Sequence, residues 1–157
     1  MAGEVESSYG SKFYFEADGL TKLVVQKVSG LQMKMTVAGG DSVIGVTKDG
    51  KTQTNSTIGG VECSEVTIEC VATAESKNLL DWYNKCHAEA LSGGKSEGRK
   101  NRKLGKVSIY DGEKEKAQFE LTDIFPTSYE TGGFDASSGD LLTETVTIGF
   151  TRLVRKK

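Results

Sequence analysis

Ser76–Leu91, SKNLLDWYNKCHAEAL, is the one stretch of this chain that reads as a helix; the rest reads as strand and turn. Leu79, Tyr83, Cys86 and Ala90 recur at steps of four and three, and Leu80 and Leu91 widen the stripe. That is the spacing of one buried helical face. Asp81, Asn84, Lys85 and Glu89 fall mostly on the other side. Thr73 or Ser76 offers a capping oxygen, and Glu75 suits the positive end of the helix dipole. Gly93 and Gly94 supply a left-handed stop. A helix of about four turns is marginal alone in water, so its stripe must lie on a sheet made by the flanking strands.

The 157 residues suffice for one domain with a real core. At 36 % hydrophobic and 27 % charged, the chain is neither disordered nor membrane-spanning. Its start, MAGEVESSYG, is acidic and lacks the basic and apolar regions of a signal peptide. Three cysteines cannot all pair within one chain. Both features lead to the expectation of synthesis and folding in the cytoplasm. A net charge of −2 argues against general nucleic-acid binding. With 19 glycines and a single proline, many turns join many strands.

Taken in order, residues 1–10 read as a flexible N-terminal arm and 11–157 as a single β domain. Lys12–Asp18 alternates, with Phe13, Phe15 and Ala17 on one face, and Asp18-Gly19 turns the chain. Leu20–Val28 is apolar on both faces around Leu23–Val25, as in a central or doubly covered strand. Leu31–Val37 alternates cleanly, which predicts one buried face. Residues 38–60 hold too few apolar side chains to own a core; Ser42–Thr47 and Lys51–Ile58 can pair across Asp49-Gly50. Val61–Ala72 reads as one long strand whose inward face slips by one residue near Ser64-Glu65, the mark of a bulge. After the helix and a basic connection, Leu104–Tyr110 and Lys116–Asp123 form a hairpin across Asp111-Gly112. Pro126 is expected to end the second of these. Leu141–Leu153 is the last strand, with Leu142, Val146, Ile148 and Phe150 inward. The sum is a mainly β fold: an antiparallel β-sandwich or small β-barrel of about seven strands with one flanking α-helix over about 76–91.

Chemistry is hard to find. His87 is the only histidine, and its neighbour Cys86 points about 100° away on a helix, so the two do not form a dyad. Cys63, Cys70, Cys86 and His87 lack metal-site spacing, and Cys70 and Cys86 fit apolar positions. Glu62, Glu65 and Glu69 read as solvated or interface charge. No glycine-rich segment runs from a strand into a helix as a phosphate loop does. The basic run from Lys95 to Lys106 has no interleaved aromatics on which bases would stack. The chain therefore offers no catalytic residue, no metal site and no cofactor site. Polar strand faces and a coreless hairpin have a physical explanation in assembly, because identical chains that pair their edges remove them from solvent.

KFYFEADGL (Lys12–Leu20), KVSGLQ (Lys27–Gln32), LLDWY (Leu79–Tyr83), Arg102 with VSIYDGE (Val107–Glu113), FELTDIFPTSYE (Phe119–Glu130) and FDASSGDLLTETVTIGF (Phe134–Phe150) follow one another in an order and spacing that resemble the tail tube proteins of contractile phage tails and phage-like contractile injection systems. Single pieces are weak; their order from Phe13 to Phe150 is specific. The glycine-, serine- and threonine-rich stretch between the second strand and the helix departs from the more aromatic and basic pattern of many members. The resemblance implies a β-sandwich or barrel with one flanking helix. It implies hexameric rings, stacked into a hollow tube, that conduct effector protein or DNA and are driven by a sheath through a target envelope. Its implied partners are further copies of itself, a sheath protein, baseplate and spike proteins and the lumen cargo, in a virion or a released or anchored particle. Residues 38–60 then become an inter-subunit hairpin or loop. Asp41, Lys48, Asp49, Lys51, Lys95, Arg99, Lys100 and Arg102 are candidates for inter-subunit contact, and Gln26, Lys34 and Thr36 for lining the lumen. The alternatives are a tube-initiating baseplate protein or effector-carrying ring of the same fold, and a monomeric ligand-binding β-barrel.

Overall fold

The computed structural model describes residues 12–38, 43–54, 57–87 and 97–157. In chain order they form β1 (Phe13–Ala17), β2 (Val25–Ser29), β3 (Met33–Ala38), β4 (Val43–Val46), β5 (Thr52–Thr54), β6 (Thr57–Cys63), β7 (Val66–Val71), α1 (Lys77–Cys86), β8 (Lys103–Asp111), β9 (Lys114–Thr131), β10 (Thr143–Gly149) and β11 (Arg152–Arg155). Seven strands make one antiparallel sheet in the order β1-β8-β9-β10-β7-β2, with β11 also on β9. The expected mainly β, antiparallel fold class therefore holds. The remaining strands pair as β3 with β6 and β4 with β5.

The seven-stranded sheet is two half-sheets that share β9. The first part of β9 pairs with β8 on one side and β11 on the other. Its last part pairs with β10. The two halves face each other: Phe15, Val107 and Leu121 from the first meet Val66, Ile68, Val146 and Ile148 from the second in one buried cluster. Burying each such side chain contributes about 1.5–3 kcal/mol.

The bend in β9 lies between Asp123 and Pro126. Asp123 takes a left-handed conformation at φ 53°, and the β9–β10 register shifts beside Pro126. Pro126 does not end the strand, contrary to the sequence expectation. It is buried inside it, and its carbonyl is turned to the helix, where His87 Nε2–H donates to it at 2.7 Å. In a strand a residue's N and O point the same way, so the missing N–H faces the helix and no ladder bond is lost. Gly149 stands opposite Phe125, whose ring occupies the space a side chain there would need.

Other boundaries also move. The last strand is two, because the chain crosses from β10 in one half-sheet to β11 in the other through Phe150-Thr151. Its inward row includes buried Glu144 beside Val146, Ile148 and Phe150. The slip near Ser64-Glu65 is not a bulge inside one strand but the break between β6 and β7, which belong to different sheets. β2 is an edge strand rather than a central one, and Val24 just before it is exposed.

Helix α1 buries Leu79, Trp82 and Cys86. Tyr83 is only half-buried and Leu80 is exposed, so the stripe is turned from the expected one. Ala90, Leu91, Gly93 and Gly94 lie outside the described residues. Trp82 decides the turn of the stripe: its indole N–H donates to the Asn101 carbonyl at 2.8 Å, so the ring is buried with its polar atom satisfied. Thr73 and Ser76 bond each other instead of capping α1. Ser76 Oγ accepts from the Thr73 N–H at 2.9 Å and donates to its carbonyl at 2.8 Å.

Candidate functional site: sheet faces and arm

β2–β7 and β3–β6 are two segments of one hairpin. Lys27 pairs with Glu69 and Ser29 with Thr67 in the body; Met33 pairs with Cys63 and Met35 with Val61 beyond it. The register is the same from Lys27 to Met35, and the Ser64 N–H to Gln32 carbonyl bond at 3.1 Å spans the gap. β4 and β5 pair as a hairpin with its tip at Lys48–Gly50. There the Thr47 N–H donates to the Lys51 carbonyl at 2.8 Å, the Gly50 N–H donates to the Thr47 carbonyl at 2.9 Å, and the Lys51 N–H reaches Thr47 Oγ1 at 3.2 Å. The hairpin expected across Asp49-Gly50 is thus present, and Lys48, Asp49 and Lys51 are exposed at its tip. Asp41 lies outside the described residues.

The buried face expected for Leu31–Val37 is only partly covered at the described side chains. Leu31 packs against the core, but Met33 is 50 % and Met35 49 % exposed.

The outward face of the second half-sheet is polar. Pairing places Lys27, Glu69, Thr145 and Glu130 in one row across four strands, and Ser29, Thr67, Thr147 and Ser128 in the next. Of the lumen candidates, Gln26 is exposed at the register shift of β2, and Lys34 is exposed opposite Glu62 on the arm. Thr36 occupies a position in β3. The first half-sheet presents a different face, where Tyr14 and Tyr110 meet edge-on with centroids 5.5 Å apart.

The basic connection is partly committed to the fold. The Arg102 guanidinium sits 4.9 Å from the centroid of the Phe125 ring. Lys103 donates to the Asp18 carbonyl and lies near the Trp82 ring. Lys100 pairs with Glu97 at 3.3 Å, Arg99 is exposed, and Lys95 lies outside the described residues. Sequence reading grouped these cations as one patch; the rings under Arg102 and Lys103 are remote in sequence and gave no signal.

One polar cluster is buried and was missed. Tyr129 donates to Glu144 Oε1 at 2.7 Å, and Glu144 Oε2 has no hydrogen-bond partner. The Cys70 thiol points to the Glu144 carbonyl oxygen at 3.5 Å. Burial, then Glu144 and Glu69, pushes that thiol up to about 11. Burial and the bond to Glu144 raise the Tyr129 phenol as well. Both groups stay protonated at neutral pH, so neither is a ready nucleophile. Cys86 and His87 diverge: the thiol is buried in the core and the imidazole binds Pro126 and lies over Tyr83, 4.4 Å between centroids. Among the described residues no group of three or more His, Cys, Asp or Glu can hold a metal, and no helix is long and apolar enough to cross a membrane.

The space between the half-sheets is filled by fully buried Phe15, Ile68, Leu121, Ile124 and Ile148. A hollow of about 550 Å³ lies outside it, in the 133–142 loop, with exposed Phe134 and Leu141 on its wall.

The fold is shared with solved structures. An extracellular contractile injection system, the PVC sheath-tube complex in the extended state, contains a chain 19 % identical, with a TM-score of 0.73 over 98 % of this chain and 93 % of that one. A chain of the anti-feeding prophage tube-terminating cap is 16 % identical, with a TM-score of 0.67 over 100 % and 99 %. Hcp1 from Flavobacterium johnsoniae is 20 % identical, with a TM-score of 0.52 over 92 % and 94 %. No curated protein sequence matches. The profile of the T4-like virus tail tube protein gp19 matches residues 10–154, nearly the whole chain. The chain belongs to that tail tube family.

Proposed function

We propose that this tail tube protein is the inner-tube subunit of a contractile injection system or contractile phage tail. Hexameric rings of it stack into a hollow tube, which a sheath drives through a target envelope and which conducts effector protein or DNA. The arm carries this reading. A long two-stranded ribbon is marginal by itself, and this one extends large apolar side chains, Met33 and Met35, beyond its own core. A second copy supplies the missing layer and closes the free edges of β1 and β2.

The hydroxyl-rich outer face of the second half-sheet suits a wetted channel wall, with Gln26, Lys34 and Thr36 extending it towards and onto the arm. The tip residues Lys48, Asp49 and Lys51, the exposed Arg99 and Lys100, and the residues Asp41 and Lys95 meet neighbouring copies or the next ring. Arg102 contributes there only through the part of its guanidinium not covered by Phe125. The partners are further copies, a sheath protein, baseplate and spike proteins and the cargo. The subunit works mechanically, without catalysis or cofactor. It is made and assembled in the cytoplasm and ends in a virion or an injection particle.

Negative-stain microscopy with light scattering tests this. Hollow rings or stacked tubes support it. A monodisperse monomer at high concentration and raised salt overturns it. Rings that never lengthen move the role to tube initiation at the baseplate.

A further inference from the structure

Side-chain alternation reverses once between β2 and β3. Val28 and Leu31 both pack against the core, yet three residues apart on a regular strand they would face opposite ways. Directly paired residues share a face of the ribbon, so the partner strand turns with it wherever the pairing is kept. Pairing is unchanged on either side of this level. The reversal coincides with Gly30, which has φ +88°. A Cβ there would collide with the Glu65 backbone carbonyl oxygen. No flexible side chain can yield to relieve that clash, and L-residues rarely adopt this φ.

We infer that Gly30 and the Ser64-Glu65 step form a joint that reverses both strands together. It keeps the apolar row Leu31, Met33 and Met35 on the core side of the sheet and fixes the direction in which the arm leaves the body. Without the reversal, unbroken alternation would turn Met33 and Met35 onto the polar face that carries Lys27, Ser29, Thr67 and Glu69. Gly30 is thus a positioning residue for the arm. Its consequence for assembly rests on the tube reading; its effect on the arm does not.

Nitroxide labels at Lys34→Cys on β3 and Glu113→Cys on the β8–β9 turn report the arm's direction. They are placed in a Cys63→Ser background with Cys70 and Cys86 left buried. Gly30→Ala is expected to move the mean distance by about 5 Å or more, one strand spacing, with Trp82 emission unchanged and rings lost. An unchanged distance overturns the joint, whatever the rings do. A moved distance in a protein whose wild type never forms rings leaves the joint standing and sinks the tube reading. If Gly30→Ala does not fold, a chain with D-alanine at position 30 decides. D-alanine accepts positive φ, so a wild-type distance supports the joint and a shifted or unfolded arm overturns it.

Discussion

Glu144 pairs with one partner and lacks a second. Tyr129 satisfies Oε1, while Oε2 is buried with no hydrogen bond. Removing the phenol leaves the whole carboxyl without a partner, and an orphaned buried polar group costs about 1–3 kcal/mol. Tyr129→Phe should lower the unfolding free energy, read from urea denaturation, by that amount. Combining it with Glu144→Met should recover most of the loss, because apolar replacement of both members of a buried pair is often near neutral. Additive losses in the double variant would contradict this account. Cys70 gives a pH signature beside it. Its thiol is raised from near 9 to about 11 by burial first and then by Glu144 and Glu69. The unfolded chain therefore loses that proton first. The stabilisation is whole below pH 9 and drains away as the pH rises to about 11. Unfolding midpoints measured across that window should fall, and fall less steeply in Cys70→Ala. Glu144 was legible in principle: it stands in the same even-numbered row as Val146 and Ile148. A lone carboxylate in an inward row reads as outward unless its tyrosine is known, and Tyr129 comes from another strand.

α1 is held to β9 at its C-terminal end by His87 and to the β8 approach by Trp82. Pro126 offers only an acceptor, so His87 must carry its proton on Nε2. His87→Ala should cost about 1 kcal/mol and should speed amide exchange in the last turn of α1 more than in the first. Equal loosening of both ends would mean that packing, and not this bond, anchors the helix. The helix itself was legible from its spacing, but the turn of its buried face was not. Trp82 and Tyr83 are adjacent aromatics, and only the Asn101 carbonyl decides which goes inward. Pro126 shows the same limit. The rule that proline ends a central strand is sound, and it fails here because the helix covers that side of β9. The phase slip at Ser64-Glu65 was visible in the sequence. Its partner at Gly30 was not, because two strands are known to reverse together only when their pairing is known.

The molecule as a whole divides into a body that completes its own core and an arm that does not. Phe15, Ile68, Leu121 and Ile148 are fully buried within one chain, while Met33 and Met35 remain half exposed on the same continuous hairpin. Stability and assembly should therefore separate by location. Half-exposed side chains away from the core usually shift stability by no more than about 0.5 kcal/mol when made polar. Met33→Ser with Met35→Ser should accordingly leave the melting temperature of the isolated chain almost unchanged. The same substitutions remove the apolar row that a second copy would cover, so rings should be lost or need far higher protein concentration. Substituting Ile148→Ala in the body should do the reverse. It should cost about 2–5 kcal/mol of stability, while the chains that remain folded still assemble. Calorimetry and sedimentation of the three proteins side by side check the separation. If the methionine variant melts early yet still forms rings, the arm's apolar row serves its own chain and the interface lies elsewhere.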